Sequence, residues 1–485
     1  MTEEKMHRYI LIALGVAIAL SFAGLLARCY YEMSGVLYGD AMIFQTVGRG
    51  ILNGILPYSG LFETKPPGIF LMHAASLWLF DSQFLVKVFQ VLALITIPIF
   101  VVVPAVDIVS GRSVKQRQLV ALVALLFGLV LTLYTANQAG MGLVESYGVA
   151  LTLLYLFFLQ RWNDVYGVWK IVLLGVLMLL TVGLKEPFLL IVFSGVLLLK
   201  KNLLRSFVYP LCIAVTLGLA TLFLLGYLEP FFSVYLTHMI GFHVHQQNTS
   251  IALRVLEVWR TFINMGAYSW WLALAVTLLW FFSFTKKHFL RVLCGSLLFF
   301  LAIAVGGDFY GHHFIFAVPC FVVFFWNALS RDAFLKKVIF GFIGLLILAS
   351  LDTQLVYNIV SWRLEEKEFK QVASVIDSVM DDCGYTQYIQ MIPRGGGPFA
   401  YTKHSPSGPI FIHYSRFIGA SPMYQQRYIS ALKEAPLAFV LDIETSNLTD
   451  AAKEFMESNF SEVAPACAGD DFVQPSPYHL LFRSS

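Results

Sequence analysis

Long apolar runs separated by short polar connections organise this chain. The first run, Tyr9 to Ala27, carries no charge; at about 1.5 Å per residue it is long enough to cross a hydrocarbon core of ~30 Å. Further runs predict crossings near 84–106, 118–136, 143–160, 168–184, 187–199, 207–227, 268–284, 292–305, 313–329 and 338–353. Alternate connections end in basic clusters: Arg112 with Lys115 and Arg117, Arg161 with Lys170, Lys200 and Lys201 with Arg205, Lys286 and Lys287 with Arg291, and Arg331 with Lys336 and Lys337. Positive residues gather on the cytoplasmic side. The pattern therefore predicts an α-helical polytopic membrane protein of about 11 transmembrane helices, its N-terminus cytoplasmic and its C-terminus outside.

The first external loop, residues 29–83, interrupts this pattern. From Asp40 to Asn53 the apolar Ile43, Phe44, Val47 and Ile51 share one helical face, while Gln45, Arg49 and Asn53 recur every fourth residue on another. Such periodicity predicts a helix lying in the membrane interface, with Asp40 as its N-cap. Ile69 to Phe80 is apolar but short, and reads as a second interfacial or re-entrant helix. Between Lys170 and Lys200 only residues 171–199 are available, whereas two full crossings need about 40 residues. The LKEP turn at Leu184 to Pro187 should therefore stop inside the membrane, where Lys185 and Glu186 form an ion pair closing a helical hairpin or line a wet cavity.

Beyond Trp362 the pattern changes. Arg363 to Ser485 is polar and turn-rich, with helices at Glu366–Met380 and Asp450–Ser458 and buried strands at Tyr388–Ile392 and Leu437–Leu441. This predicts a transmembrane domain over 1–362 and a small extracytoplasmic α/β domain over 363–485.

Composition narrows the class. With 58% hydrophobic and 13% charged residues, the chain is not a soluble globule, whose charged fraction is about a quarter. A net charge of +3 gives no case for a nucleic-acid partner. Lys5 and Arg8 precede the first apolar run and no small-residue cleavage site follows it, so that run is read as an uncleaved span. Cys383 and Cys467 both fall in the outer segment, where an oxidising compartment permits a disulfide; the sequence leaves their bonding open.

No phosphate-cradling loop, nucleophile elbow, HExxH or CxxC motif is present. The polar residues that stand out are Asp40, Arg49, Glu63 and Lys65 in the first loop, Glu145, Lys185 and Glu186 at span ends, and Asp308, His312 and His313 before a late span. A carboxylate with nearby cations suits transfer of a group from an anionic lipid carrier: a base takes the acceptor's proton and cations neutralise the phosphate. The alternative is ordinary interfacial anchoring by snorkelling side chains. His238, His243 and His245 share one external segment, read as a mobile loop near a cavity mouth.

An acidic residue after the first span followed by YSGLFETKPPG resembles the first external loop of GT-C membrane glycosyltransferases. The branch it resembles comprises the protein O-mannosyltransferases and the lipid A aminoarabinose transferases. Lys65-Pro66-Pro67 carries the match, with Thr64 inserted after Glu63. The segment GGDFYGHHFIFAVP, Gly306 to Pro319, is similar to one that opens a late span in bacterial relatives, with Asp308 where many have arginine. The resemblance implies inverting transfer of a sugar from a polyprenyl-phosphate donor to a saccharide, lipid or protein acceptor on the outer face of a bacterial inner membrane. By position Asp40 would be the general base and Lys65 the cation facing the donor phosphate, supported by Arg49 and Lys185. Glu63, Glu145 and Glu186 would orient acceptor hydroxyls or, in some relatives, help hold a divalent metal. Asp308, His312 and His313 would belong to the cavity wall. The rival reading is a transporter or flippase of a lipid-linked saccharide, which should show related halves or broken helices; another is an acyl- or phosphoryl-modifying enzyme, whose nucleophile arrangement is missing here.

Overall fold

The computed structural model describes residues 3–35, 40–139, 142–162, 167–199, 201–243, 250, 252–253, 256, 266–284, 288–305, 311–352, 359–390, 397–406, 422–440, 450–469, 472–475 and 479–484. The chain is mostly helical. Among the described residues, α-helices run over α1 (Glu3–Ser34), α2 (Asp40–Leu52), α3 (Pro67–Phe80), α4 (Phe84–Ile108), α5 (Val114–Ala139), α6 (Val144–Arg161), α7 (Val168–Val182), α8 (Phe188–Leu198) and α9 (Tyr209–Leu224). Helices Gly266–Ser283, Phe289–Val305, Val318–Leu329 and Ile339–Asp352 follow. Among the described residues, each apolar run expected to cross the membrane is helical over most of its length. Among the described residues four helices are long and apolar enough to cross unaided: Arg8–Ser34, Phe84–Ile108, Val114–Asn137 and Leu204–Leu224.

Two compact units divide the chain. One comprises Met1–Ser34, Lys87–Ala220 and Gln247–Tyr357; the other comprises Gly35–Val86, Thr221–Gln246 and Asn358–Ser485. In the first, Phe127, Phe325 and Phe342 pack ring to ring at 5.0 to 5.8 Å, within a core that also encloses Trp326. Lipid is as apolar as these side chains, so close van der Waals fit holds the helices together. Gly148 of α6 shows such fit: a Cβ there would lie 2.0 Å from a ring carbon of Phe188 in α8.

The second unit joins the first-loop helices to the C-terminal segment. Among the described residues its strands, β1 (Tyr388–Gln390), β2 (Leu437–Val440), β3 (Phe460–Ser461) and β4 (His479–Arg483), form a sheet in the order β1-β2-β4-β3. β1 and β2 run parallel, and the remaining pairs are antiparallel. Alternation along the strands sends Tyr388, Leu437, Leu480 and Phe482 toward Ile376 and Phe399, and Ile389, Ala438 and Leu481 toward Leu432 and Met456. Both faces are covered by helices, which is why these short strands read as continuous apolar runs. Cys383 and Cys467 are bonded, with an S–S distance of 2.08 Å.

Candidate functional site

The turn between α2 and α3 builds the first cluster. Pro66 precedes α3 and Pro67 occupies its first turn, where a missing N–H costs nothing, so the helix begins directly after Lys65. Tyr58 adopts φ +71°, which is costly for a bulky residue. Its N–H donates to Leu61 O at 2.7 Å, and its hydroxyl donates to Lys65 O at 3.0 Å. The fully buried ring stands 4.8 Å from Tyr235 and 6.2 Å from Phe70. This bracing holds Lys65 at the end of a closed turn.

Glu63 is buried and accepts from the Thr64 N–H at 2.8 Å and the Thr64 hydroxyl at 3.0 Å. The Lys65 ammonium lies 3.8 Å from the same carboxylate oxygen. Burial raises the Glu63 carboxyl above the usual range; Lys65 and Thr64 oppose that shift, and the charge of Asp40 adds to it. Asp40 itself is half-buried in the first turn of α2. The charges of Asp40 and Lys65 thus both act on Glu63.

Phe62 meets His238 edge-on, with centroids 5.1 Å apart. His238 is buried and its desolvated imidazole is pushed down to about 4, so it is neutral at pH 7. The mobile loop expected here is corrected at this residue: the apolar Phe231, Val234 and Tyr235 keep 228–243 helical and packed. The side chain of His243, and the whole of His245, lie outside the described residues.

Arg49 is half-buried on α2. Its charge acts on the Tyr388 hydroxyl, and among the described residues its Nε has no hydrogen-bond partner. Gln45, on the polar face of α2, is buried together with Ala41 to Gly48. His73 of α3 was not singled out from the sequence. It is fully enclosed between Phe44 and Gly48, and desolvation pushes it down to about 3.

The second cluster lies in the other unit. Glu145 lies in the first turn of α6, and Lys185 lies in the connection between α7 and α8. Because Gly148 lets the Phe188 ring onto α6, residues three positions earlier on each strand of chain meet: Lys185 Nζ donates to Glu145 Oε1 at 2.6 Å, with both side chains buried. The ammonium also stands 5.0 Å from the centre of the Phe316 ring, on which His313 stacks at 5.9 Å. The pair expected of Lys185 with Glu186 is corrected: the ion pair of Lys185 reaches Glu145 on α6, outside the 168–199 hairpin, and Glu186 is half-buried. Asp308 and the side chain of His312 lie outside the described residues.

Among the described residues no three His, Cys, Asp or Glu side chains are grouped closely enough to hold a metal ion. Beside Glu63 the nearest counter-charge is the Lys65 ammonium.

No family model matches the chain, and no curated protein matches its sequence. The fold does match solved structures. A crystal structure of ArnT from Cupriavidus metallidurans bound to undecaprenyl phosphate superposes with a TM-score of 0.54 at 12% identity, covering 98% of this chain and 97% of that one. The apo state of the same protein gives 0.52 at 12% identity, covering 98% of each chain. The fold of this chain is thus similar to that of ArnT over nearly its whole length.

Proposed function

We propose that this chain is an integral-membrane, inverting glycosyltransferase that moves a sugar from a polyprenyl-phosphate donor to an acceptor hydroxyl on the extracytoplasmic face. The observation that carries this reading is the juxtaposition of Asp40, Glu63 and Lys65 in one loop of a chain with the ArnT fold. The ArnT neighbour holds undecaprenyl phosphate, a carrier of the proposed chemical class.

In the proposed step Asp40 accepts the proton as the acceptor oxygen bonds to the anomeric carbon. The bond from that carbon to the phosphate oxygen breaks, and its electron pair leaves on the polyprenyl phosphate. Lys65 neutralises the leaving anion, which a preorganised cation does without reorganisation at the moment of reaction. Glu63, fixed by Thr64, orients the incoming hydroxyl. The reading also includes eleven crossings, a cytoplasmic N-terminus, a bacterial inner membrane, and division into a membrane domain over 1–362 and an extracytoplasmic segment over 363–485. The Cys383–Cys467 bond supports that placement, since disulfides persist in oxidising compartments.

Mass spectrometry of envelope lipids and glycans from cells with and without the protein tests the assignment. Loss of one sugar modification, restored by the purified protein and a polyprenyl-phosphate sugar, is the expected result. Accumulation of unmodified lipid-linked saccharide on the cytoplasmic leaflet, with no transfer in the purified system, would identify a flippase instead.

A further inference from the structure

Gln45 and Arg49 on α2, and Asn53 in the turn directly after it, follow one another at a four-residue spacing. Two of them are tied to a single distant segment. Gln45 Nε2 donates to the carbonyl oxygen of Ala400 at 2.6 Å, and its Oε1 accepts from Gln83. Asn53 Nδ2 donates to Ser405 Oγ at 3.0 Å. Ala400 and Ser405 belong to a strap, residues 397–405, that makes no strand and only one short helical turn.

The strap is pinned from behind. The buried Asp377 carboxylate accepts the Lys403 N–H at 2.9 and 3.0 Å and the His404 N–H at 3.4 Å. Thr402, also buried, shares a hydrogen bond with the Tyr388 hydroxyl at 3.0 Å. Phe399 stacks on the Tyr388 ring, and His404 pairs with Asp381 at 2.9 Å. Loop backbone held at this many points transmits position, and a buried amide such as Gln45 is costly to leave unmatched.

We propose that residues 397–405 are a positioning strap for α2. By fixing Gln45 and Asn53 they set the register of the helix whose first turn carries Asp40. Gln45, Asn53 and Asp377 are positioning residues, and the C-terminal segment is a working part of the site. The consequence for catalysis rests on Asp40 being the base, as proposed above; the strap itself does not.

Hydrogen exchange of the full-length protein in lipid nanodiscs tests it. Asp377→Ala should speed exchange of amides 40–52 at least tenfold while amides 67–80 stay within twofold, and carbodiimide labelling of Asp40 should rise in parallel. Asp377→Asn, which keeps an acceptor oxygen for the Lys403 N–H, should restore most of the protection. Should Asp377→Ala not fold, Asn53→Ala and Ser405→Ala serve in its place, and their effects on α2 exchange should be non-additive because each removes the same bond. Unchanged α2 exchange, equal loosening of α2 and α3, failure of the Asn variant to restore protection, or additive effects would overturn the strap. None of these readings depends on turnover. An Asp40→Asn protein that still transferred sugar would end the base assignment and leave the strap intact.

Discussion

Two lysines show how differently one residue type is used. Lys65 sits 3.8 Å from Glu63, beyond the range of a good hydrogen bond, and its side chain is partly exposed. An anionic lipid head can compete for such an ammonium. Lys65→Met should therefore weaken binding of undecaprenyl phosphate at least tenfold, about 1.4 kcal/mol, measured by titration into nanodiscs; unchanged affinity would remove Lys65 from the site. Lys185 is locked at 2.6 Å to Glu145 with both side chains buried. Glu145→Leu removes one partner of a buried ion pair and should cost about 3–5 kcal/mol of stability, read by thermal unfolding in detergent. Asp40, Glu63 and Lys65 were legible because charges are scarce in an apolar chain and these three fall in one loop. Tyr58 and His73 were not, because a tyrosine in a turn and a histidine in an apolar helix acquire meaning only from a positive φ and from the side chains that enclose them.

At the scale of elements, α2 and α3 form a tight pair. A Cβ at Gly48 would lie 2.8 Å from Ala74 N, so only glycine allows this approach. The contact buries His73, whose folded value of about 3 lies below the unfolded 6.5. The folded state then binds fewer protons, so this contribution to stability is complete above pH 6.5 and is lost progressively as pH falls toward 3. At pH 5 the loss from His73 is about 2 kcal/mol, and His238, held at about 4, acts in the same direction. The thermal midpoint should drop between pH 7 and pH 5, and His73→Leu should flatten that slope; an unaltered slope would contradict the burial argument. The helix at α2 was readable from its period, but its partner was not. Ala400 lies 355 residues away in sequence, and no local pattern announces so distant a bond. The strands at Tyr388 and Leu437 were readable because both faces of the sheet are covered.

Across the whole molecule, the alternation of apolar runs and basic clusters carried the membrane architecture, and a likeness of 12% identity over nearly the full chain agrees with it. What the pattern lacked was distance. Cys383 and Cys467 could not be paired from spacing alone, and they close a loop of 84 residues. Removing the bond with Cys383→Ser should lower the stability of the C-terminal segment by about 4 kcal/mol on chain-entropy grounds, seen as a fall in the thermal midpoint that reductant reproduces in the unsubstituted protein. No such fall would mean that the bond contributes little to the fold.

The central claim is that Asp40 removes the acceptor's proton. Single-turnover transfer from a polyprenyl-phosphate sugar, measured with Asp40→Asn protein that binds donor as the unsubstituted protein does, tests it most directly. A fall in rate of at least a hundredfold with donor affinity unchanged is the expected result, in line with the ~10²–10⁴-fold contribution of a positioned base. Transfer at a rate near that of the unsubstituted protein would contradict the account.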